Sequence, residues 1–118
     1  MSLIPPQMNH LNQLMNAAQL RHGVISQNLA NVNTPGYQRL DVQFEELLAA
    51  HLKSGESIPG SVPQPQVVPE EGLNNRFDGN NVDIDREISQ LNRNAMMYQT
   101  YSQLMGSQFD LFRRAVSR

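Results

Sequence analysis

Histidines and carboxylates are the residues of this sequence whose chemistry could serve catalysis or metal binding. His10, His22 and His51 lie far apart, and none has a second ligand at the spacing that zinc sites use. The acidic run 78–87 invites comparison with a calcium loop, but its sixth residue is Asp83, where that loop requires glycine. The absence of cysteine excludes disulfides and thiol catalysis. We therefore expect no enzyme, no catalytic residue, no metal and no cofactor.

The composition limits the partners of the chain. Its 118 residues allow one domain, but only 39% are apolar, which leaves little for a large core of its own. The formal charge is −2 and the basic residues are scattered, so we expect neither nucleic acid nor an anionic membrane as a partner. The first residues contain no basic stretch followed by an apolar one, and we expect no cleaved signal peptide and no membrane insertion.

The stretch 26–37, here called the signature turn, is the strongest sequence signal for where the chain changes direction. It ends the first predicted helix. Asparagine accepts turn and left-handed conformations, the residue before proline is pushed to extended geometry, and glycine allows a positive φ. On these properties alone, such a stretch is typical of a helix stop. The residues that we assign to the turn are Asn28, Asn31, Asn33, Thr34, Pro35, Gly36 and Tyr37.

Two long helices are predicted, one on each side of an aperiodic middle. Apolar residues recur at alternating spacings of three and four from Met8 to Val32 and again from Ile84 to Val116. Asp83 is the predicted N-cap of the second helix, which has acids in its first turn and arginines in its last. The predicted fold is therefore mainly α, with the two helices packed as a coiled-coil-like pair. The residues assigned to subunit packing are Leu11, Met15, Ala18, Ile25, Leu29, Ile88, Leu91, Tyr98, Met105, Phe109 and Phe112.

Both apolar stripes are wider than a single pair of helices can cover. Second rows, which include Leu14 and Val24 on the first helix and Met97 and Leu104 on the second, widen each stripe beyond roughly 100°. We expect the surplus surface to pack against other chains, and folding to be coupled to that assembly. The alternative is a small helical bundle that the middle segment closes. His22 stands at a seam position, where it either sets the register or faces a partner.

The middle of the chain contains a predicted short helix and a predicted connector. Asp41 is the predicted N-cap of this helix, and Phe44 and Leu48 fall on one face of it. Residues 54–81 are rich in proline and glycine, which predicts a flexible connector with an extended piece at 66–68. The predicted segments of this one assembly domain are 1–37, 38–53, 54–81 and 82–118.

Three stretches of the sequence together resemble the rod proteins of the bacterial flagellar basal body. The first runs from Ser26 through the signature turn to Phe44. The second, at 78–87, reads DGNNVDIDRE, and the third, at 94–99, reads NAMMYQ. The resemblance points to the proximal rod, and it keeps the related rod subunit FlgC as an alternative.

The resemblance implies a structural subunit of the proximal rod. Such proteins are exported through the flagellar type III apparatus without signal cleavage, and they polymerise into a periplasmic tube that transmits torque. The implied partners are other copies of the chain, the MS-ring adaptor FliE, FlgC and other rod proteins, and the type III export gate. A soluble helical adaptor or secretion chaperone, which would bind a client helix in the same apolar stripe, is the alternative from another class.

Overall fold

A computed structural model of the chain describes residues 6–55, 63–70 and 76–117. The two long helices pack against each other and a two-stranded sheet lies beside them, so the predicted fold class is confirmed. Among the described residues, no helix is both long enough and apolar enough to cross a membrane. In chain order the elements are α1 (Pro6–Ala30), β1 (Leu40–Gln43), α2 (Glu45–Ser54), β2 (Gln66–Pro69) and α3 (Ile84–Val116).

Helices α1 and α3 run antiparallel, and hydrogen bonds between them fix their alignment. Asn28, near the end of α1, donates to Glu87 in the first turn of α3 at 3.3 Å, whereas the carbonyl of Ala18 accepts from Asn94 at 2.7 Å. Ala18 is 1% exposed, and its small side chain lets the two backbones approach closely. Because each helical residue adds about 1.5 Å, the start of α1 lies roughly level with Gly106. The last turns of α3 therefore project beyond α1.

The face that α3 turns toward α1 differs from the predicted seam by one position. Glu87 and Asn94, one heptad apart, are buried there, and half-buried Tyr101 continues the row. Their neighbours in the predicted seam, such as Ile88 and Phe109, are 44% and 57% exposed. The apolar row of α3 that is assigned to subunit packing therefore lies mostly outside the contact with α1. The polar residues find hydrogen-bond partners on the inner side, and this rotates the apolar row outward.

A strand, β1, occupies the place where the short helix was predicted to begin. Asp41 does not cap a helix, because it lies in β1 and pairs with Val68 of β2 in antiparallel register. Phe44 follows the strand, is fully buried and packs with Leu48 in a small apolar core. The predicted short helix is present as α2, but it begins only at Glu45, since the preceding residues pair with β2 instead.

The two edges of the β1–β2 sheet are closed in different ways. On the β1 side, the Asn28 side chain forms hydrogen bonds with the N–H and the carbonyl of Leu40, each at 2.9 Å. Arg21 donates to the carbonyl of Val42, which also faces outward, at 3.1 Å. On the β2 side, the antiparallel register leaves the backbone hydrogen-bonding groups of Val67 and Pro69 pointing away from β1. Proline has no N–H to offer. Val67 is therefore the one residue of β2 whose N–H faces outward.

The predicted connector 54–81 contains ordered elements. Its predicted extended piece at 66–68 lies within β2. Its last residues, from Arg76 to Asn81, form a tight loop that hydrogen-bonds to the signature turn. The parts of the predicted segments that lie outside the described residues are 1–5, 56–62, 71–75 and Arg118.

Candidate functional site

The signature turn reverses the chain directly after α1. In the β-turn from Thr34 to Tyr37, the N–H of Tyr37 donates to the carbonyl of Thr34 at 3.2 Å. Pro35 supplies the fixed φ of the second position. Gly36 has a φ of 75°, which the third position of a type II turn requires. The direction in which the chain leaves α1 thus depends on one proline and one glycine.

Two asparagines of the signature turn, Asn28 and Asn31, form hydrogen bonds through their side chains. Among the described residues, only glycines have a positive φ, so the left-handed conformation that asparagine allows is not used. Asn31 donates from its amide to the carbonyl of Gln27 at 2.9 Å and accepts from the hydroxyl of Thr34 at 3.0 Å. Asn33 and Pro35 are exposed.

The loop before α3 clamps the signature turn from outside. The N–H of Gly36 donates to the carbonyl of Asp78 at 2.7 Å. Gly79 has a φ of 81°, and a Cβ placed on it would be in van der Waals contact with the Cα of Gly36, at 3.5 Å. Gln38 adds a hydrogen bond to the carbonyl of Gly79 at 2.8 Å. Two glycines from distant parts of the chain therefore bring their backbones together.

Asn80 is the central residue of this clamp. It is fully buried, and its Oδ1 accepts from the N–H of Val82 at 2.7 Å, which holds the approach to α3. Its amide nitrogen lies within hydrogen-bond distance of three carbonyl oxygens of the signature turn. These belong to Asn31 at 2.9 Å, Val32 at 3.2 Å and Thr34 at 2.8 Å.

A buried ion pair joins the residues after the signature turn to α3. Arg39 is 1% exposed and Glu87 is 0% exposed, and the Arg39 Nε donates to the Glu87 Oε1 at 2.5 Å. Burial lowers the pKa of Arg39, but the hydrogen bonds and charges of Glu87 and Glu70 together outweigh it, and the net pKa is raised. Arg39 also donates to Gln90 at 3.1 Å and to the carboxylate of Glu70. The guanidinium therefore ties three parts of the chain together.

Asn28 links the end of α1 to the same ion pair. Its Oδ1 accepts from the N–H of Leu40 at 2.9 Å and from the hydroxyl of Tyr37 at 3.0 Å. Its Nδ2 donates to the carbonyl of Leu40 at 2.9 Å and to Glu87 at 3.3 Å. Burial, and then the negative charge of Glu87, raise the pKa of the Tyr37 hydroxyl. All the hydrogen-bonding capacity of this buried amide is therefore used.

Asn81 and Glu70 complete the arrangement. The Oδ1 of Asn81 accepts from the N–H of Arg39 at 2.6 Å, and its amide donates to the carbonyl of Glu70 at 2.8 Å. The carboxylate of Glu70 lies between Arg39 and Arg86, with the Arg86 contact at 3.0 Å. Burial opposes ionisation of Glu70, but both arginines outweigh it and lower the pKa of this carboxyl. We call these residues the polar cluster: Asn28, Tyr37, Arg39, Glu70, Asn81 and Glu87.

The polar cluster fastens separate segments of the chain through hydrogen bonds. Among the described residues, the buried side-chain atoms without a hydrogen-bond partner are Gln13 Oε1 and Asn94 Oδ1, and neither belongs to the cluster. Also among those residues, no group of three or more histidine, cysteine, aspartate or glutamate side chains is placed to hold a metal ion. The cluster joins α1, the signature turn, β1, the residue after β2 and the first turn of α3.

The residues assigned to subunit packing fall into two groups. Those of α1 lie on the side facing the rest of the chain: Ala18 and Ile25 are buried, and the others are half-buried. Of those on α3, only Leu91 and Met105 are half-buried, and the rest are exposed. His22 is exposed on α1. Asp83 lies before α3, and its side chain accepts from the N–H groups of Asp85 and Arg86. The exposed subunit-packing residues of α3 are Ile88, Tyr98, Phe109 and Phe112.

Sequence reasoning missed the residues that bind the signature turn to α3. Its position predicts that Glu87 complements the helix dipole, whereas the structure buries it fully against Arg39. One signal was available, because Asn80, Glu87 and Asn94 follow one another at heptad spacing. A row of polar residues at that spacing is typical of a helix face that meets polar groups of another element. The partners could not be inferred, since they lie far away along the sequence.

Gly36→Val should destabilise the chain by about 1–3 kcal/mol, because a β-branched residue is strained at positive φ. The cost comes from the backbone alone, since a Cβ at Gly36 would have no heavy atom within 4 Å. Urea denaturation of the purified variant measures the change. Gly23→Val is the matched control, because that site is also open but lies within α1 and is not among the glycines with positive φ. Equal losses in both variants would contradict the importance given to the turn.

Comparison with known proteins gives one family. The family described as "Flagella basal body rod protein" matches residues 8–38, most of α1 and the signature turn. The chain is 35% identical to the flagellar basal body rod protein FlgB of Aquifex aeolicus, with 85% of each chain covered. It is 33% identical to FlgB of Salmonella typhimurium over 81% of this chain and 82% of that relative. FlgB of Bacillus subtilis is 28% identical over 93% and 92% respectively. The resemblance seen in the sequence is thus confirmed, and the chain belongs to the FlgB family of flagellar basal body rod proteins.

Proposed function

We propose that the chain is a structural subunit that polymerises into the proximal rod, a periplasmic tube that transmits torque. The observation that carries the proposal is the apolar row that α3 leaves uncovered. Exposed apolar surface of this extent on one helix is typical of an association site. The members of this row, whose exposure ranges from 36% to 67%, are Ile84, Ile88, Tyr98, Phe109, Phe112 and Val116.

The polar cluster supports the same role from inside the subunit. A part that transmits force has to resist relative movement of its own segments. Asn28 of α1 donates directly to Glu87 of α3, and Arg39 pairs with the same carboxylate. The other three hydrogen bonds of Asn28 hold Leu40 and Tyr37, the neighbours of Arg39, so α1 and α3 stay at a fixed alignment. Such a network leaves the outer row of α3 free to contact neighbouring subunits.

The proposed partners come from the family to which the chain belongs. They are other copies of the chain, FliE, FlgC and other rod proteins, and the flagellar type III export gate. We propose export through that apparatus without cleavage of a signal peptide. The proposed role is structural and involves no catalysis.

Phe109→Asp should abolish rod assembly and motility. Phe109 is 57% exposed in the single chain, so the substitution leaves the subunit fold intact. In a rod, the new carboxylate would be buried without a partner in every copy, at a cost of several kcal/mol each. Swimming of cells that carry only the variant measures function, and its amount outside the cytoplasm measures export.

Ser107→Asp is the matched control for this experiment. Ser107 is exposed in the same part of α3, about 200° around the helix from Phe109. We expect this variant to swim, and both variants to be exported. Normal swimming with Phe109→Asp would contradict burial of the apolar row in a rod and would favour the adaptor alternative.

A further inference from the structure

We infer that copies of the chain bind head to tail, so that the C-terminal end of α3 in one copy contacts the start of α3 in the next. The inference rests on the proposed polymerisation and identifies the two surfaces that meet. The head surface consists of Phe77, Asp78, Asp83, Ile84 and Asp85. The tail surface consists of Phe109, Phe112, Arg113 and Val116.

The tail surface lies on the part of α3 that extends beyond the described start of α1. The alignment of α1 with α3 places the start of α1 roughly level with Gly106, so the tail surface lies beyond it. Phe109, Phe112 and Val116 are 57%, 42% and 67% exposed. All three lie on one side of α3, and Arg113 lies with them. The tail surface is therefore apolar with a positive charge.

The head surface combines an exposed aromatic ring with acids. Phe77 projects fully into solvent from the loop that clamps the signature turn, and Ile84 close by in sequence is 47% exposed. A cavity of about 500 Å³ lies here, lined in part by Asp83, Ile84 and Asp85. The loop itself is held by Asn80, so the ring is presented from a fixed base. Arg76 lies 3.6 Å from Asp78 and offsets its charge, so the negative charge of the head surface comes from Asp83 and Asp85.

The two surfaces complement each other in charge and share an apolar centre. The arginine of the tail surface is 80% exposed, and among the described residues it pairs with Asp110 in its own helix, at 2.9 Å. Exposed ion pairs of this kind contribute little to stability, and their partners exchange readily. Arg113 can therefore turn to the acids of a second copy, while the apolar side chains of both surfaces lose contact with water.

The geometry excludes contact between the two surfaces of one chain. Ile84 and Val116 are the first and last residues of α3, and at 1.5 Å per residue they lie about 48 Å apart. Contact between two different patches repeats from copy to copy and builds an open array instead of a closed dimer. This is the kind of contact that a growing rod needs.

Engineered cysteines test this contact directly. The chain has no cysteine of its own, so Ile84→Cys combined with Val116→Cys introduces the only thiols. A disulfide requires Cα atoms within about 7 Å, so these two thiols can join only between copies. We expect oxidation of the concentrated protein to give a ladder of covalent oligomers beyond the dimer, visible on a non-reducing gel.

The control pair places one cysteine away from the head surface. Gln99→Cys with Val116→Cys keeps the tail thiol and moves the other to an exposed site midway along α3, and it should give no ladder. Dimers from Val116→Cys alone that are as abundant as the products of the double variant would overturn the head-to-tail arrangement.

Charge reversal gives a second test in the cysteine pair. Asp85→Arg or Arg113→Asp alone should lower ladder formation about tenfold, because like charges then meet. Both reversals together should restore it. Unchanged ladders in the single variants, or no rescue in the combination, would overturn the inference. The proposed rod function would still stand if Phe109→Asp abolished rods while these results were negative, so the two failures are distinguishable.

Discussion

Glu87→Ala should lower the free energy of unfolding by about 3–5 kcal/mol, since it leaves a buried charge without its partner. Arg39 is 1% exposed, and it directs two nitrogens at the Glu87 carboxylate, at 2.5 and 3.4 Å. The substitution also removes an acceptor of Asn28, which adds an unsatisfied polar group at the end of α1. Urea denaturation of the purified chain, followed by helical circular dichroism, measures the loss.

Two companion variants separate the buried pair from a general effect of acids in this turn. Asp85→Ala removes an exposed acid one residue into α3 and should cost less than about 1 kcal/mol, the usual size of a helix-dipole contribution. Arg39→Met combined with Glu87→Leu removes both charges and should recover most of the loss. Equal losses in Asp85→Ala and Glu87→Ala would contradict the importance given to the buried pair.

Asn80→Asp should destabilise the chain by more than about 3 kcal/mol at neutral pH, because a buried charge then faces carbonyl oxygens. The amide of Asn80 donates to the carbonyls of the signature turn, and a carboxylate cannot donate. The variant keeps the shape of the side chain, and it keeps the acceptor for the N–H of Val82. The loss therefore reports the missing donor and the added charge.

Acid should reduce the loss in Asn80→Asp. The folded chain disfavours the ionised form of the new carboxyl, so its pKa is raised on folding. The destabilisation relative to the unchanged chain is then full above the folded pKa and declines as the pH falls through it, since the neutral acid donates one hydrogen bond. Asn92→Asp, on the exposed side of α3, is the control and should show little pH dependence. A loss in Asn80→Asp that does not change with pH would contradict this account.

The long helices could be predicted because their signals are local. Periodicity and capping lie within the helix itself, and the Asp83 side chain indeed accepts from the N–H of Asp85 at 3.0 Å. The start of α2 could not be predicted in the same way. Asp41 looks like a helix cap from its neighbours alone, and it lies in a strand because Val68, far along the chain, pairs with it.

Local signals also fail to predict which side chains form the inner face of α3. Apolar periodicity selects the row of Ile88 and Phe109, which has the larger hydrophobic content. In the folded chain Glu87 and Asn94 face inward instead, because they form hydrogen bonds there with Arg39 and with the carbonyl of Ala18. The family resemblance included these residues, but it did not reveal which of them touch. Tertiary contact decides the orientation of a helix that has two possible faces.

The closed edges of the β1–β2 sheet bear on how a self-associating chain avoids aggregation. An open strand edge is a template on which further strands of identical chains can add, and this is how amyloid-like growth starts. Here side chains of α1 occupy the outer edge of β1, and Pro69 leaves the outer edge of β2 with one N–H donor. The described strand edges therefore offer few hydrogen-bond donors to a further strand, which favours association of crowded copies through other surfaces.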